Sequence, residues 1–578
     1  MREFKLDPAY LRQQIVGVDS TFETPFGERL MVYCDYTASG RCLRFVESYL
    51  QSLQRIYANT HTEDDITGRS MSQLLHEAEA AIKKSVNAGP NGRIIACGTG
   101  ATGAIEKLQQ IIGVALAPAT RQKIDNMLNE SDCGFDSEAF RSLLGQKQPV
   151  VFIGPYEHHS NEVSWRQSLV ETVEVSMDAS GNIDLAHLEE LLQAPEYQDR
   201  LRIGSFSAAS NVTGIRSDVR NISSLLHAYD AIACFDYAAC APYVEIDMNP
   251  VSKDGRDLSI DAIYISPHKF LGGPGSSGVL VFNERIYHRE LPPSVGAGGT
   301  VDYVGPDDQD FIAGIEEREK AGTPGVLQTL KAAMVFQIKD RVGVDVIYKR
   351  EHELTQRVLE SWGDNENIEI LGNPDASQRV GIVSFNIKGD TGNYLHHKFV
   401  TALLNDLFGI QSRAGCSCAG PYGHRLLNID LETSERYRHA VQDGFCGMKP
   451  GWCRIGLHWV MDDAEADYVI DAVHFVARHG RRFLNLYNFD LSTGTWSHKQ
   501  DANLLTTFSL DAALSEDKGE PATLSLAVRE QLYDHYKTEA NRWASQLEEA
   551  GPAALKSLEG ELGELQFFAL PENSTPKH

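Results

Sequence analysis

The sequence predicts an α/β fold: a large, mostly parallel sheet, then a smaller α/β unit and a C-terminal extension. Three observations carry this. Short runs rich in Val and Ile alternate with stretches of helical periodicity from about residue 30 to about 285. The same alternation returns, more briefly, up to residue 480. Beyond 480 the pattern changes character.

The candidate strands of the large sheet are RIIAC (93–97), VVFIG (150–154), RIGSFS (202–207), AIACFD (231–236), AIYIS (262–266) and GVLVF (278–282). Nearly continuous apolar runs mark strands covered by helices on both faces, as in parallel sheets. Ligands of such sheets sit at the carboxyl ends of the strands. Residues 326–360 read as long helix. The second unit has strand IVSFNI (382–387), an amphipathic helix near 393–407, strand WCRIGLH (452–458) and helix 462–480, which Gly480 is expected to stop. In the extension, LNLYNFDLSTGTW reads as two short strands around a turn, 523–550 as helix, and the closing PENSTPKH as disordered.

A chain of 578 residues allows two to four domains at roughly 150 residues each. The net charge of −27 argues against general binding of nucleic acid or anionic membranes, both of which would repel it. The opening MREFKLDPAY lacks the apolar stretch of a signal peptide, and no apolar run reaches the ~18 residues of a membrane span, so the expected compartment is the cytoplasm. Ten cysteines scattered over this length do not form a disulfide framework.

Five motifs at strand ends carry chemistry. In AIYISPHKFLGGPG, Lys269 follows a strand and precedes a glycine-rich turn. A Schiff-base lysine needs such a pocket to lower its pKa; the alternative is a solvated lysine beside a hairpin. In CFDYAACAP, Asp236 ends an apolar strand, where a carboxylate is costly unless paired. A pyridinium N–H is a suitable partner, and a helix cap is the alternative. RIIACGTGATGAIEKLQQII runs strand, glycine turn, helix. Gly98, Gly100 and Gly103 spell G-x-G-x-x-G, but the next strand with its acidic residue comes too late for a dinucleotide site. A single phosphate near Ala101 and Thr102 is the preferred reading. His158, in GPYEHHSNEVSW, could stack on a ring and move protons. Asn211, in SFSAASNVTG, could hydrogen-bond a ring oxygen or a carboxylate.

Taken together, DYTASGR (35–41), NTHTE (59–63), GTGATGAI, EHHSN, ASNVTG, SPHK, AGTPG (321–325) and RAGCSCAG (413–420) resemble the fold-type-I, class V pyridoxal-phosphate (PLP) enzymes from about residue 30 to 480. Within these, the chain looks most like the cysteine desulfurase and selenocysteine lyase branch. The resemblance implies four parts: an arm (1–30), a large PLP-binding domain (31–325), a small domain with connecting helix and cysteine loop (326–480), and an extension (481–578) without a family counterpart. It implies that Lys269 forms the Schiff base, Asp236 binds the pyridine nitrogen, His158 stacks on the ring, and Asn211 lies near the ring oxygen. Ala101, Thr102, Ser266 and His268 would hold the phosphate. Thr323 would reach the phosphate of a neighbouring subunit, which implies a homodimer. Arg454, in GWCRIGLH, would grip the carboxylate of a small amino-acid substrate.

Cys418 matches the loop cysteine that takes sulfur from the substrate as a persulfide, and this leaves room for a sulfur-acceptor protein. A thiolate on a glycine-rich loop beside a cation is a competent nucleophile. Cys416 either resolves a persulfide or packs. The chain departs from the family at Ala239, where a glutamine usually bonds the ring oxygen, and in longer segments at 115–148 and 425–448. The leading expectation is a cysteine desulfurase-like C–S lyase. A class V aminotransferase, or another lyase or epimerase, is the alternative, favoured by Ala239 and disfavoured by Cys418. A third reading is a metal-binding or sulfur-carrier module using Cys416, Cys418, His424, Cys446, Cys453 and His458, though their spacings match no zinc ribbon or finger.

Overall fold

The computed structural model describes residues 6–60, 62, 64–129, 136–389, 392–500 and 523–572. His61 and Glu63 of NTHTE lie outside them, as does most of PENSTPKH. The chain forms two compact units. The first is built from Ser39–Tyr348, and the second joins Leu6–Ala38 to Lys349–His578.

The first unit holds a seven-stranded sheet. In chain order its strands are β1 (Gly92–Cys97), β2 (Val150–Ile153), β3 (Glu171–Glu174), β4 (Arg202–Ser207), β5 (Ile232–Asp236), β6 (Ala262–Ile265) and β7 (Gly278–Asn283). Across the sheet the order is β1-β7-β6-β5-β4-β2-β3. Only β7 runs against its neighbours; the other strands pair in parallel or share their direction. β2 and β6 are buried along their whole length and β5 nearly so, as their apolar sequences require. Helix α1 (Gly100–Ile111) lays Ala104, Ile105 and Leu108 on one face of the sheet, against Ile95, Tyr264 and Leu280. The six expected strands form within a residue or so of their predicted bounds. The additional edge strand β3, sequence ETVE, is only half buried and shows no apolar run.

The predicted long helix is two helices, α2 (Val326–Val342) and α3 (Val344–Gly363). Gly343 between them has φ +91°, a conformation that ends α2 and that only glycine adopts without strain.

The second unit has a four-stranded antiparallel sheet of order β8-β9-β11-β10, formed by β8 (Ile368–Ile370), β9 (Ile382–Ile387), β10 (Arg413–Gly415) and β11 (Trp452–Gly456). Helices α4 (His397–Phe408) and α5 (Asp463–His479) contribute Phe399, Leu403, Leu404, Val469 and Val473 to its core. Gly480 does not stop α5 in the expected left-handed manner. Its φ is −55° and the chain continues as a 3-10 segment to Leu486. A Cβ there would meet Leu395 at 2.8 Å, so glycine serves close packing instead.

The extension is part of this core. Strands β12 (Tyr487–Asp490) and β13 (Thr495–His498) form the expected hairpin. Helix α6 (Leu526–Glu549) stacks Tyr533 on Tyr468 with ring centroids 4.2 Å apart. The Tyr536 hydroxyl accepts the Leu30 N–H at 3.2 Å, and Arg29 lies over the same ring. No helix among the described residues is long and apolar enough to cross a membrane.

Candidate active site

In the first unit, four strand ends converge. β1 delivers Gly98–Gly100 to the start of α1, and Gly100 has φ +58°. The Ala101 N–H donates to Ser266 Oγ at 2.8 Å, and the Thr102 and Ser160 hydroxyls lie 2.7 Å apart. A Cβ on Gly100 would approach Ser266 Oγ to 2.8 Å and His268 Nε2 to 3.5 Å. The N-terminal turn of α1, Ser266, His268, Thr102 and Ser160 therefore form one polar cluster. Unsatisfied N–H groups and a positive helix end suit such a cluster to a phosphate. Burial and the nearby Lys269 push the His268 imidazole down to about 4, so it is neutral at pH 7.

Lys269 closes the 3-10 turn after β6, and Asp236 is the last residue of β5, the adjacent strand. Asp236 is 4% exposed. Burial raises its pKa, while a hydrogen bond from the Ala238 N–H (2.8 Å) and the charge of Lys269 pull it back. That N–H lies two residues on in a turn, so Asp236 does not cap a helix. Asn211 and Ala239 are buried in the same unit. Ala239 offers no hydrogen bond where a glutamine would.

His158 follows β2. Its Nδ1 accepts the Ser160 N–H at 3.1 Å, so the proton of the neutral ring sits on Nε2. The neighbouring Glu157, which sequence reasoning passed over, is buried and accepts four hydrogen bonds. They come from Gly154 N–H (3.1 Å), Ser207 N–H (2.8 Å), Ser207 Oγ (2.6 Å) and Asn161 Nδ2 (2.7 Å). Burial pushes this carboxyl up to about 7 against those bonds. Ser160 was passed over too; it links His158 to Thr102. Thr323 is exposed, and its Oγ1 accepts from Asn59 Nδ2 at 3.3 Å.

The second unit carries Cys418 and Arg454. β10 pairs with β11 so that Arg413 lies opposite Arg454. Both arginines hold Asp35: Arg413 Nε at 3.0 Å from Oδ2, Arg454 Nη2 at 3.2 Å from Oδ1. Arg454 is 4% exposed, and burial lowers its pKa while Asp35 and the Cys418 sulfur favour its charge. After β10 the chain turns through Gly415 (φ +117°), Ser417 (φ +51°) and Cys418 (φ +57°). Two successive non-glycine residues in left-handed backbone are strained by about 1–2 kcal/mol each. Cys416 and Cys418 are both exposed. Cys453, by contrast, is buried and donates to the His397 carbonyl at 3.1 Å, and His458 stacks on Tyr36. Among the described residues no three His, Cys, Asp or Glu side chains group as metal ligands.

Comparison with known proteins agrees with this architecture. The family model described as aminotransferase class-V matches residues 138–469, more than half of the chain. A probable cysteine desulfurase of Halalkalibacterium halodurans is 29% identical over 285 residues, covering 49% of this chain and 64% of that protein. One from Staphylococcus aureus strain COL is 31% identical over 284 residues, covering 48% and 63%. The chain thus spans just under two thirds of the length of these relatives. Two solved structures share the fold. A cysteine desulfurase from Thermococcus onnurineus superposes with TM-score 0.59 at 20% identity, over 78% of this chain and 95% of that one. The S-sulfonic acid form of a cysteine desulfurase from Escherichia coli gives 0.60 at 18% identity, over 81% and 98%. The fold is thus that of the fold-type-I class V enzymes, and this chain belongs to the aminotransferase class-V family.

Proposed function

We propose that the protein is a PLP-dependent, cysteine desulfurase-like C–S lyase acting on L-cysteine or a related small amino acid. The observation that carries this is the convergence of a polar cluster at a helix N-terminus, a lysine and a buried carboxylate at neighbouring strand ends of one sheet. The residues fit PLP. The glycine turn is open at Gly98, where a Cβ would meet nothing within 4 Å, and Ser266 and His268 lie close at Gly100, so a phosphate would be held there with Ala101 and Thr102. Asp236 is a buried acid suited to a ring N–H, His158 to stacking on the ring, and Asn211 to the ring oxygen. Bound there through Lys269, PLP supplies an electron sink that makes the substrate α-proton removable.

The chain's own residues do the rest. Lys269 or His158 moves the α-proton. Arg454, with Asp35 steadying its guanidinium, binds the substrate carboxylate. The Cys418 thiolate attacks the substrate sulfur: an S–S bond forms, and the Cβ–S bond breaks with its electron pair left on carbon. The carbon fragment takes up a proton and leaves as alanine, and Cys418 retains the persulfide. The exposed, strained loop supports a thiol that must meet both substrate and a sulfur-acceptor protein. The names of the curated relatives point the same way. Thr323 would complete the phosphate site of a second copy in a cytoplasmic homodimer. The buried Ala239 favours a second reading, an aminotransferase of the same family.

Purified protein loaded with PLP and given L-cysteine and a thiol reductant should release alanine and sulfide in equal amounts. Release should be lost in Cys418→Ser and kept in Cys416→Ser. Amino-group transfer to a keto acid, indifferent to Cys418, would overturn the reading.

A further inference from the structure

Glu157 is the most buried acid of the strand-end region to which the proposed reaction gives no role. It is 3% exposed, and no lysine or arginine pairs with it among the described residues. Its neighbours are donors, and three of the four are obligate. Gly154 and Ser207 present backbone N–H groups. The Asn161 amide is oriented beyond doubt, because its oxygen accepts from Trp165 Nε1 (3.0 Å) and Ser205 Oγ (2.6 Å), which leaves its nitrogen for Glu157. A shell of donors around a carboxyl is built for its charged form. A buried charge without a cation is expensive, and such groups persist where a partner arrives or function requires them.

The position of this charge is informative. Ser207, which gives Glu157 two hydrogen bonds, stands opposite Asp236 in the parallel ladder between β4 and β5. The next N–H, of Ala208, donates to the Asp236 carbonyl at 2.9 Å. Two buried carboxyls thus lie one strand apart at the end of the sheet, and Asp236 opposes the ionisation of Glu157. Among the described residues, other titratable groups around the pair include Tyr156 and Tyr237 beside them in sequence, Tyr264 on β6, Lys269 after it, and His158 and His159 on the loop of Glu157.

We infer that Glu157 is a second counter-charge for the cofactor ring: through Asp236 it keeps the pyridine nitrogen protonated, and through Asn161 and Ser207 it fixes the loop that carries His158. The inference rests on the PLP reading above. A ring cation held there would offset the two carboxyls, which among the described residues have the charge of Lys269 near Asp236. Glu157 is a positioning residue, since it reaches the ring only through its neighbours.

The test loads the full chain with PLP carrying 15N in the ring and follows the ring-nitrogen chemical shift from pH 6 to 9. In the wild type the nitrogen should stay protonated across the range, and in Glu157→Gln it should lose its proton with a midpoint inside the range. Ser207→Ala keeps the carboxylate but removes one donor, and should lower the midpoint by less. It also serves if Glu157→Gln does not fold. A purely structural role would cost thermal stability and leave the midpoint where it was; unchanged midpoints therefore overturn the inference while the PLP reading stands. A wild-type chain that retains no labelled ring overturns both.

Discussion

The strand-end pocket of the first unit and the cysteine loop of the second are built in opposite ways. The pocket is held by short hydrogen bonds between residues far apart in sequence: Ala101 to Ser266, Thr102 to Ser160, Glu157 to Ser207. Its acids are buried and its backbone is anchored to buried strands. The loop has two exposed cysteines, three positive-φ residues within Gly415–Cys418, and a following helix of seven residues. Groups that hold a cofactor gain from rigidity. A thiol that receives an atom and passes it on needs access, and strain at such a position is tolerated because function uses it. On the proposed reading, the first unit would hold the cofactor and the second would transfer sulfur.

The largest expected effect comes from removing the lysine of the rigid site. Lys269→Ala should reduce alanine formation by about 10³-fold or more, together with loss of the bound cofactor's absorbance band. Cys418→Ser should sharpen the contrast. Sulfide release falls by a comparable order of magnitude, yet the cofactor band keeps its position and intensity; a lost band would mean that the loop also holds the cofactor. Next is packing. Tyr533→Ala, in the extension, should lower stability in a denaturant titration by about 3 kcal/mol, because that ring is buried against Tyr468.

A pH effect of similar size belongs to Glu157. With its pKa raised from 4.5 to about 7, the folded chain holds a proton that the unfolded chain gives up. Wild-type stability should therefore decline relative to Glu157→Gln as pH rises from 4.5 to 7, by up to about 3 kcal/mol in cofactor-free protein. Parallel stability curves for the two proteins would show that this carboxyl does not titrate there. The smallest effect should come from Ser417→Gly, which relieves left-handed strain and raises stability by about 1 kcal/mol or less.

What was legible in the sequence follows the same contrast. Strands covered on both faces announce themselves as apolar runs, so β2, β4, β5 and β6 could be read almost to the residue. β3, β8 and β10 are short and carry polar residues at half-exposed positions, so no run marks them. Lys269 and Asp236 stood out because a charge at the end of an apolar strand is conspicuous. Glu157 carries the same signal, an acid just past VVFIG, but the adjacent histidines are the more conspicuous titratable groups. Ser160 gave no signal at all, because its role lies in a hydrogen bond to a residue 58 positions away. Gly480 looked like a helix stop because glycine often is one; that it is there for its missing Cβ depends on Leu395, which periodicity does not bring near.

The joining of Leu6–Ala38 with the far end of the chain has a consequence for synthesis on the ribosome. Leu30 and Tyr536, which share a hydrogen bond, are 506 residues apart. At ~5–20 residues per second, roughly 25–100 s pass between their appearances. During that interval Phe26, Leu30 and Val32 have no finished core to enter. The nascent chain therefore carries an unburied apolar segment around residues 26–32 while Ser39–Tyr348 has everything required to fold, and it is there that a chaperone would find its binding site.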